Sequence, residues 1–167
     1  SKQIGIGLIG KAGSGKNTVG QYLTSTYGYK QFAFAEELKY LAHRLFGISR
    51  HDLDVKPEKV RKILQTLGTD AMRNIFPTVW ADLLISRLEK YNTISPVQYH
   101  KIVITDVRFQ NEAEALLKHG FNLVRINRTN ADELNHISET ELDQIETPLT
   151  IDNNGSFART TKQIDTL

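Results

Sequence analysis

Gly10-Lys11-Ala12-Gly13-Ser14-Gly15-Lys16-Asn17-Thr18 follows directly on the apolar run Ile4–Ile9. The stretch reads G-x-x-x-x-G-K followed by Asn-Thr. Glycines at these positions let backbone N–H groups close around phosphate oxygens without Cβ atoms in the way. Lys16 is spaced to reach the β- and γ-phosphates of a nucleotide. Val19, Tyr22, Leu23 and Thr26 then fall on one helical face. A helix starting near Lys16 would add its positive N-terminal end to the anion site. Strand, glycine-rich turn and helix thus occur in the order a phosphate-binding loop requires.

Working outward, four more short apolar runs read as strands: Gln31–Phe34, Lys101–Thr105, Phe121–Ile126 and Leu149–Ile151. Helical patterns lie between them. Leu38, Leu41, Ala42 and Leu45 share a face, with Gly47 as the stop. Val60, Ile63, Leu64 and Leu67 mark a helix opened by Pro57 and closed by Gly68. Trp80, Leu83, Leu84 and Leu88 mark another. Phe109, Ala113, Leu116 and Leu117 precede Gly120, and a last helix starts near Ser156. Alternating strands and helices predict an α/β fold, a mostly parallel sheet of these five strands with helices on both faces. Residues 1–167 read as one domain, with a small polar lid at about 127–138. Ligands of such sheets bind beyond the carboxyl ends of the strands.

Composition narrows the function classes. The chain has 167 residues, 40% of them hydrophobic, and a formal charge of +2 spread along its length. No long basic run marks a surface for polymeric nucleic acid. With no cysteine, neither a disulfide framework nor a Cys-ligated metal site can form. The N-terminus carries no signal-peptide pattern and no apolar run is long enough for a bilayer, so the expectation is a soluble cytoplasmic protein without a membrane partner. The guanine-specific tetrapeptide Asn-Lys-x-Asp is absent, against a GTPase, and the chain is short for a motor ATPase.

Candidate site residues follow from what succeeds each strand. Asn17 stands where Ser or Thr usually offers a hydroxyl to Mg²⁺; its amide oxygen can take that place, directly or through water. Thr18 can bond a phosphate or its own helix backbone. Asp106 ends the third strand and can hold Mg²⁺ through water or accept a hydrogen bond from substrate. Arg108 and Glu112 are four apart and can share a helix face, as an acceptor site or as a surface pair; a guanidinium there suits a phosphate. Arg61, Gln65, Gly68 and Thr69 form a stripe running into the expected helix break. Arg128, in the polar lid just past the fourth strand, reads from its position as a loop arginine, and Arg125 lies in or along the sheet. Ser138-Glu139-Thr140-Glu141 reads as a capping box, and His136 before it as a loop residue. Asn153-Asn154-Gly155 follows the last strand and reads as a turn.

The segment Arg61–Asp70 with Trp80 resembles the central motif of the deoxynucleoside monophosphate kinases of tailed bacteriophages. Three further stretches match in order: Thr105-Asp106-Val107-Arg108 with Glu112, His136-Ile137-Ser138-Glu139, and Ile151-Asp152-Asn153-Asn154-Gly155-Ser156. With the glycine-rich loop, the resemblance covers nearly the whole chain. It implies the nucleoside monophosphate kinase fold, with a parallel five-stranded sheet, and transfer of the γ-phosphate of ATP, with Mg²⁺, to a deoxynucleoside monophosphate. It implies that Lys11, Gly13, Ser14, Gly15, Lys16, Asn17 and Thr18 hold the donor phosphates and that Asn153 borders the donor base. Arg61, Gly68, Thr69, Trp80, Asp106, Arg108 and Glu112 would build the acceptor pocket, with Trp80 packing in the core, stacking on a base, or both. Lys16, Asp106, Arg108 and Arg128 would carry the transfer. Larger family members have a long insertion where this chain has only about Ile48–Lys56, so contacts made by that insertion are absent or replaced. The resemblance is compatible with a homodimer. Two other readings share these motifs: a kinase of hydroxymethylated bases in phage DNA, and a nucleotide-binding regulator without transfer activity, which Asn17 favours.

Overall fold

The computed structural model describes residues 5–94, 101–129 and 141–167. Ser138, Glu139 and Thr140 of the expected capping box, His136 and most of the 127–138 lid lie outside them. The chain forms two compact units, Ser1–Ala33 with Ser95–Leu167, and Phe34–Ile94.

The first unit is built on a five-stranded sheet in the order β2-β3-β1-β4-β5. Its strands are β1 (Gly5–Ile9), β2 (Lys30–Phe32), β3 (Ile102–Val107), β4 (Phe121–Asn127) and β5 (Leu149–Asp152). Every pairing is parallel. All five residues of central β1 are buried, as a strand covered on both faces requires. One face packs Ile6, Leu8, Val103, Val124, Ile126 and Ile151 against Val19 and Leu23 of α1 (Lys16–Tyr27) and Ile164 of α7 (Phe157–Ile164). The other meets α6 (Gln110–Lys118): a Cβ on Gly7 would lie 2.9 Å from both Leu116 Cδ1 and Leu123 Cδ2. Ile9 pairs with Val107 on one side and Arg125 on the other, and Asn127 pairs with Asp152. The carboxyl ends of β1, β3, β4 and β5 therefore form one edge. The segments that follow them hold Gly10–Gly15, Arg108, Arg128 and Asn153.

The second unit is helical: α2 (Phe34–Phe46), α3 (Arg50–Val55), α4 (Glu58–Gln65), a π-helical stretch Thr66–Arg73, and α5 (Val79–Ile94). Ala42, Leu53 and Leu64 are its buried nucleus, with Leu38, Ile48 and Val60 against them. Lys39 bridges Glu36 and Asp54 at 3.1 Å each, and Arg50 also pairs with Glu36. The Ser49 hydroxyl accepts from Asp52 N and starts α3.

Three sequence expectations shift. The second strand stops at Phe32; Phe34 opens α2, whose first turn carries Glu36 and Glu37 at the positive helix end. Leu45, expected on the apolar face of α2, is 61% exposed. Gly68 does not close α4. The chain continues through it in wider turns, and an added Cβ would sit 2.6 Å from Leu38 Cδ2. The glycine serves close packing, and its carbonyl accepts a hydrogen bond from Trp80 Nε1 at 3.0 Å.

Candidate active site

Buried β1 delivers the chain to the loop, and α1 carries it away. Gly15 is the α1 N-cap with φ 99° and ψ 18°, a left-handed conformation that disfavours any side chain. Ser14 N donates to Lys11 O at 3.1 Å and Val19 N to Gly15 O at 3.0 Å. A Cβ on Gly10 would lie 2.7 Å from the Ile126 carbonyl oxygen, so the loop leaves β1 hard against β4. The Lys16 ammonium donates to the Gly10 carbonyl, folding back across the loop. The amides of the first helical turn have no i−4 carbonyl partners, which makes this end of α1 a receptor for anions.

A cleft of about 700 Å³ opens at this place. Gly10, Lys11 and Ser14 line one side, and Arg128 and Thr129 after β4 line another. Residues Asp143–Thr147 complete it. The structure thus brings the expected lid arginine, Arg128, to the same cleft as the phosphate loop. Arg125 has a different task. It lines the cleft, but its guanidinium donates to Leu142 O at 3.0 Å and also to Ile145 O. It anchors the wall formed by that segment.

Asn17 and Thr18 are exposed in the first turn of α1. Asp106 is the penultimate residue of β3, half-buried, one position before the Val107 that pairs with Ile9. An amide oxygen and one carboxylate suit Mg²⁺, which takes few protein ligands and fills its shell with water and nucleotide phosphates. Among the described residues, no cluster of three or more His, Cys, Asp or Glu forms a metal cage of another kind.

Arg108 is exposed at the same sheet edge. Glu112, read from the sequence as sharing with it an acceptor site or a surface pair, caps its backbone. The Glu112 carboxylate is buried and accepts from Arg108 N at 2.9 Å and Phe109 N at 3.1 Å, satisfying the turn into α6. This is the reciprocal half of a capping box; the Phe109 side chain has no acceptor to supply the other half. The Glu three residues into the helix was the signal for it.

In the second unit, Arg61 and Gln65 are exposed, Thr69 is half-buried and Gly68 is buried. Trp80 is 6% exposed, its indole N–H committed to Gly68 O. Nearby, Arg87 Nε approaches Glu37 Oε1 at 2.9 Å, off the line of a true hydrogen bond. Burial pushes the Glu37 carboxyl above its ordinary range.

The turn after β5 is tied to the phosphate loop. Asn153 Nδ2 donates to Ser14 O at 2.8 Å, and Thr160 Oγ1 donates to Asn153 Oδ1 at 2.8 Å. Asn153 N donates to Asn127 O at 2.8 Å. Asn154 Oδ1 accepts from Thr129 N at 2.7 Å, fastening the start of the lid stretch. Asp152 accepts from both the backbone and side chain of Asn154, which lower its carboxyl pKa.

Sheet order, glycine-rich loop and a cleft with an arginine beyond β4 define a P-loop kinase. A gluconokinase from Sinorhizobium meliloti has the same fold at TM-score 0.52, with 17% identity over 98% of this chain and 90% of that one. TT1252 from Thermus thermophilus does so at TM-score 0.53, with 18% identity over 99% and 96%. The profile of the family described as Deoxynucleotide monophosphate kinase matches residues 48–164. A provisionally named deoxynucleotide monophosphate kinase of Acanthamoeba polyphaga mimivirus is 34% identical over 159 residues, 84% of this chain and 82% of that protein. The chain belongs to the deoxynucleotide monophosphate kinase family and is a nucleotide kinase. Among the described residues, no helix is long and apolar enough to cross a membrane.

Proposed function

We propose that the chain transfers the γ-phosphoryl group of ATP to a free deoxynucleoside monophosphate, giving the diphosphate and ADP. The observation that carries this reading is the cleft where Arg128 faces Gly10, Lys11 and Ser14. It provides backbone donors for the anchored phosphates and a cation for the one that moves. Lys16 exchanges its bond to Gly10 O for the donor phosphates. The acceptor's phosphate oxygen attacks the γ-phosphorus, and the bond from that phosphorus to the β–γ bridging oxygen breaks. The acceptor oxygen is already ionised near neutral pH, so no side chain has to remove a proton. Transfer then depends on positioning and on neutralising charge, which is the role assigned to Lys16, Arg108 and Arg128. Asn17 and Asp106 would hold Mg²⁺, directly or through water, and the ion would screen the donor phosphates.

Arg108 at the β3 edge is assigned to the acceptor phosphate. Arg61, Gly68, Thr69 and Trp80 of the helical unit are assigned to the acceptor on the family resemblance. Glu112 supports Arg108 by holding its backbone. Excluding water from the cleft would suppress ATP hydrolysis. The test is a panel of deoxynucleoside monophosphates, ribonucleoside monophosphates and hydroxymethylated DNA, each with ATP and Mg²⁺, read by product formation. Diphosphate from at least one free deoxynucleoside monophosphate is expected. Phosphorylation of the DNA alone would replace this reading with a polymer kinase, and no product from any acceptor would reduce the chain to a nucleotide binder.

A further inference from the structure

We propose that Asn153 is a positioning residue for the phosphate loop, locked by Thr160 and acting on ATP's phosphates through the Ser14–Gly15 peptide. This rests on the reading of Gly10–Thr18 as the phosphate site, and it gives Asn153 a different task from bordering the donor base.

Three observations carry it. The Asn153 amide spans the fold, with Nδ2 on Ser14 O and Oδ1 on Thr160 Oγ1, both at 2.8 Å. Chemistry fixes the orientation of that amide. Ser14 O can only accept, so the NH₂ group must face it and the amide oxygen must face the hydroxyl. Thr160 is 2% exposed, and its one hydroxyl proton has a nearer acceptor in Asn153 than in Ser156 O at 3.3 Å. The amide is therefore held at both ends and at its backbone, through Asn153 N to Asn127 O.

The second observation is contact. A Cβ on Gly15 would sit 2.3 Å from Asn153 Nδ2. The glycine before Lys16 is thus required by Asn153 as well as by its own φ of 99°. The third is peptide geometry. C=O and N–H of a trans peptide point in opposite directions. Drawing Ser14 O toward Asn153 turns Gly15 N–H away from it, toward the anion that a loop of this kind encloses. Ser14 is 1% exposed and its buried hydroxyl has no hydrogen-bond partner among the described residues, so nothing from that side chain holds the peptide instead.

The experiment measures binding of Mg·ATP and of inorganic tripolyphosphate to wild type, Asn153→Ala, Thr160→Val and Lys16→Ala. Losing one well-aligned hydrogen bond on the loop is expected to weaken binding by about tenfold. Asn153→Ala should lose the same factor for both probes, because tripolyphosphate has no base. Thr160→Val should lose a smaller factor, again equal for both; it keeps the proposal testable if Asn153→Ala does not fold. In Asn153→Asp a carboxylate would face Ser14 O, whereas the protonated acid can donate to it. Its deficit relative to wild type should shrink as pH falls from about 8 to about 5, since burial beside a carbonyl raises a carboxyl pKa. Loss confined to ATP would make Asn153 a base contact and overturn the proposal. Unchanged tripolyphosphate binding in both Asn153→Ala and Thr160→Val would overturn it too, as would a pH-independent deficit in Asn153→Asp. Wild-type tripolyphosphate binding by Lys16→Ala would instead remove the phosphate-site reading beneath it.

Discussion

Trp80→Phe separates a base-stacking tryptophan from a structural one. The indole is 6% exposed and its N–H is 3.0 Å from the carbonyl of buried Gly68. Phenylalanine removes the donor and leaves that carbonyl without it, at a cost of roughly 1–3 kcal/mol. The smaller ring also gives up about 40 Å² of buried surface, or another ~1 kcal/mol. Together these are about 2–4 kcal/mol. With a denaturant dependence of about 2 kcal/mol per molar urea, the unfolding midpoint should drop by about 1–2 M. Trp80 is the only tryptophan, so unfolding has to be followed by far-UV circular dichroism. Because Gly68 and Thr69 lie in the π-helical stretch assigned to the acceptor, the Michaelis constant for the deoxynucleotide should rise while that for ATP stays near wild type. A midpoint that does not move, with a large loss for one base only, would refute the structural role and restore direct stacking.

Two further outcomes follow from other contacts. Arg108→Ala should raise the acceptor Michaelis constant far more than that of ATP, with a loss of roughly 2–5 kcal/mol in the specificity constant; small, equal changes in steady-state kinetics with each substrate varied would defeat the acceptor assignment. Tyr27 donates to Asp165, as does Tyr22 at 2.8 Å, and this bond to a carboxylate pushes the Tyr27 hydroxyl up to about 12. A raised folded-state value means the contact stabilises fully below pH ~10 and is lost as pH rises toward ~12. Asp165→Asn should therefore bring two tyrosines, Tyr22 and Tyr27, back toward pH 10 in a tyrosinate absorbance titration, and an unaltered curve would show that the contacts are not formed.

The sheet was legible because local patterns and tertiary structure agree. Each apolar run became a strand, and the motif after β1 became the loop. Departures lie at element ends and where distant partners decide. Phe32-Ala33-Phe34 reads as one apolar run, yet Glu36 and Glu37 draw Phe34 into α2. Gly68 before Thr69 and Asp70 looks like a helix stop, but Trp80 holds its carbonyl from twelve residues away. Asn153-Asn154-Gly155 has the composition of a plain turn, and its bond to Ser14 spans 139 residues, beyond any local pattern. Glu112 was legible in principle: its carboxylate caps a helix three positions before it.

Label transfer from ATP carrying a radioactive γ-phosphate tests the central claim most directly. Wild type and Lys16→Ala should be incubated with Mg²⁺ and each deoxynucleoside monophosphate, and the products separated. Lys16 is half-buried within the loop and its ammonium bonds back to Gly10 O; far-UV circular dichroism of the variant checks that it keeps the fold. The account predicts label in the terminal phosphate of a deoxynucleoside diphosphate with wild type and none with the folded variant. Label appearing only as inorganic phosphate, or equal transfer by Lys16→Ala, would contradict it.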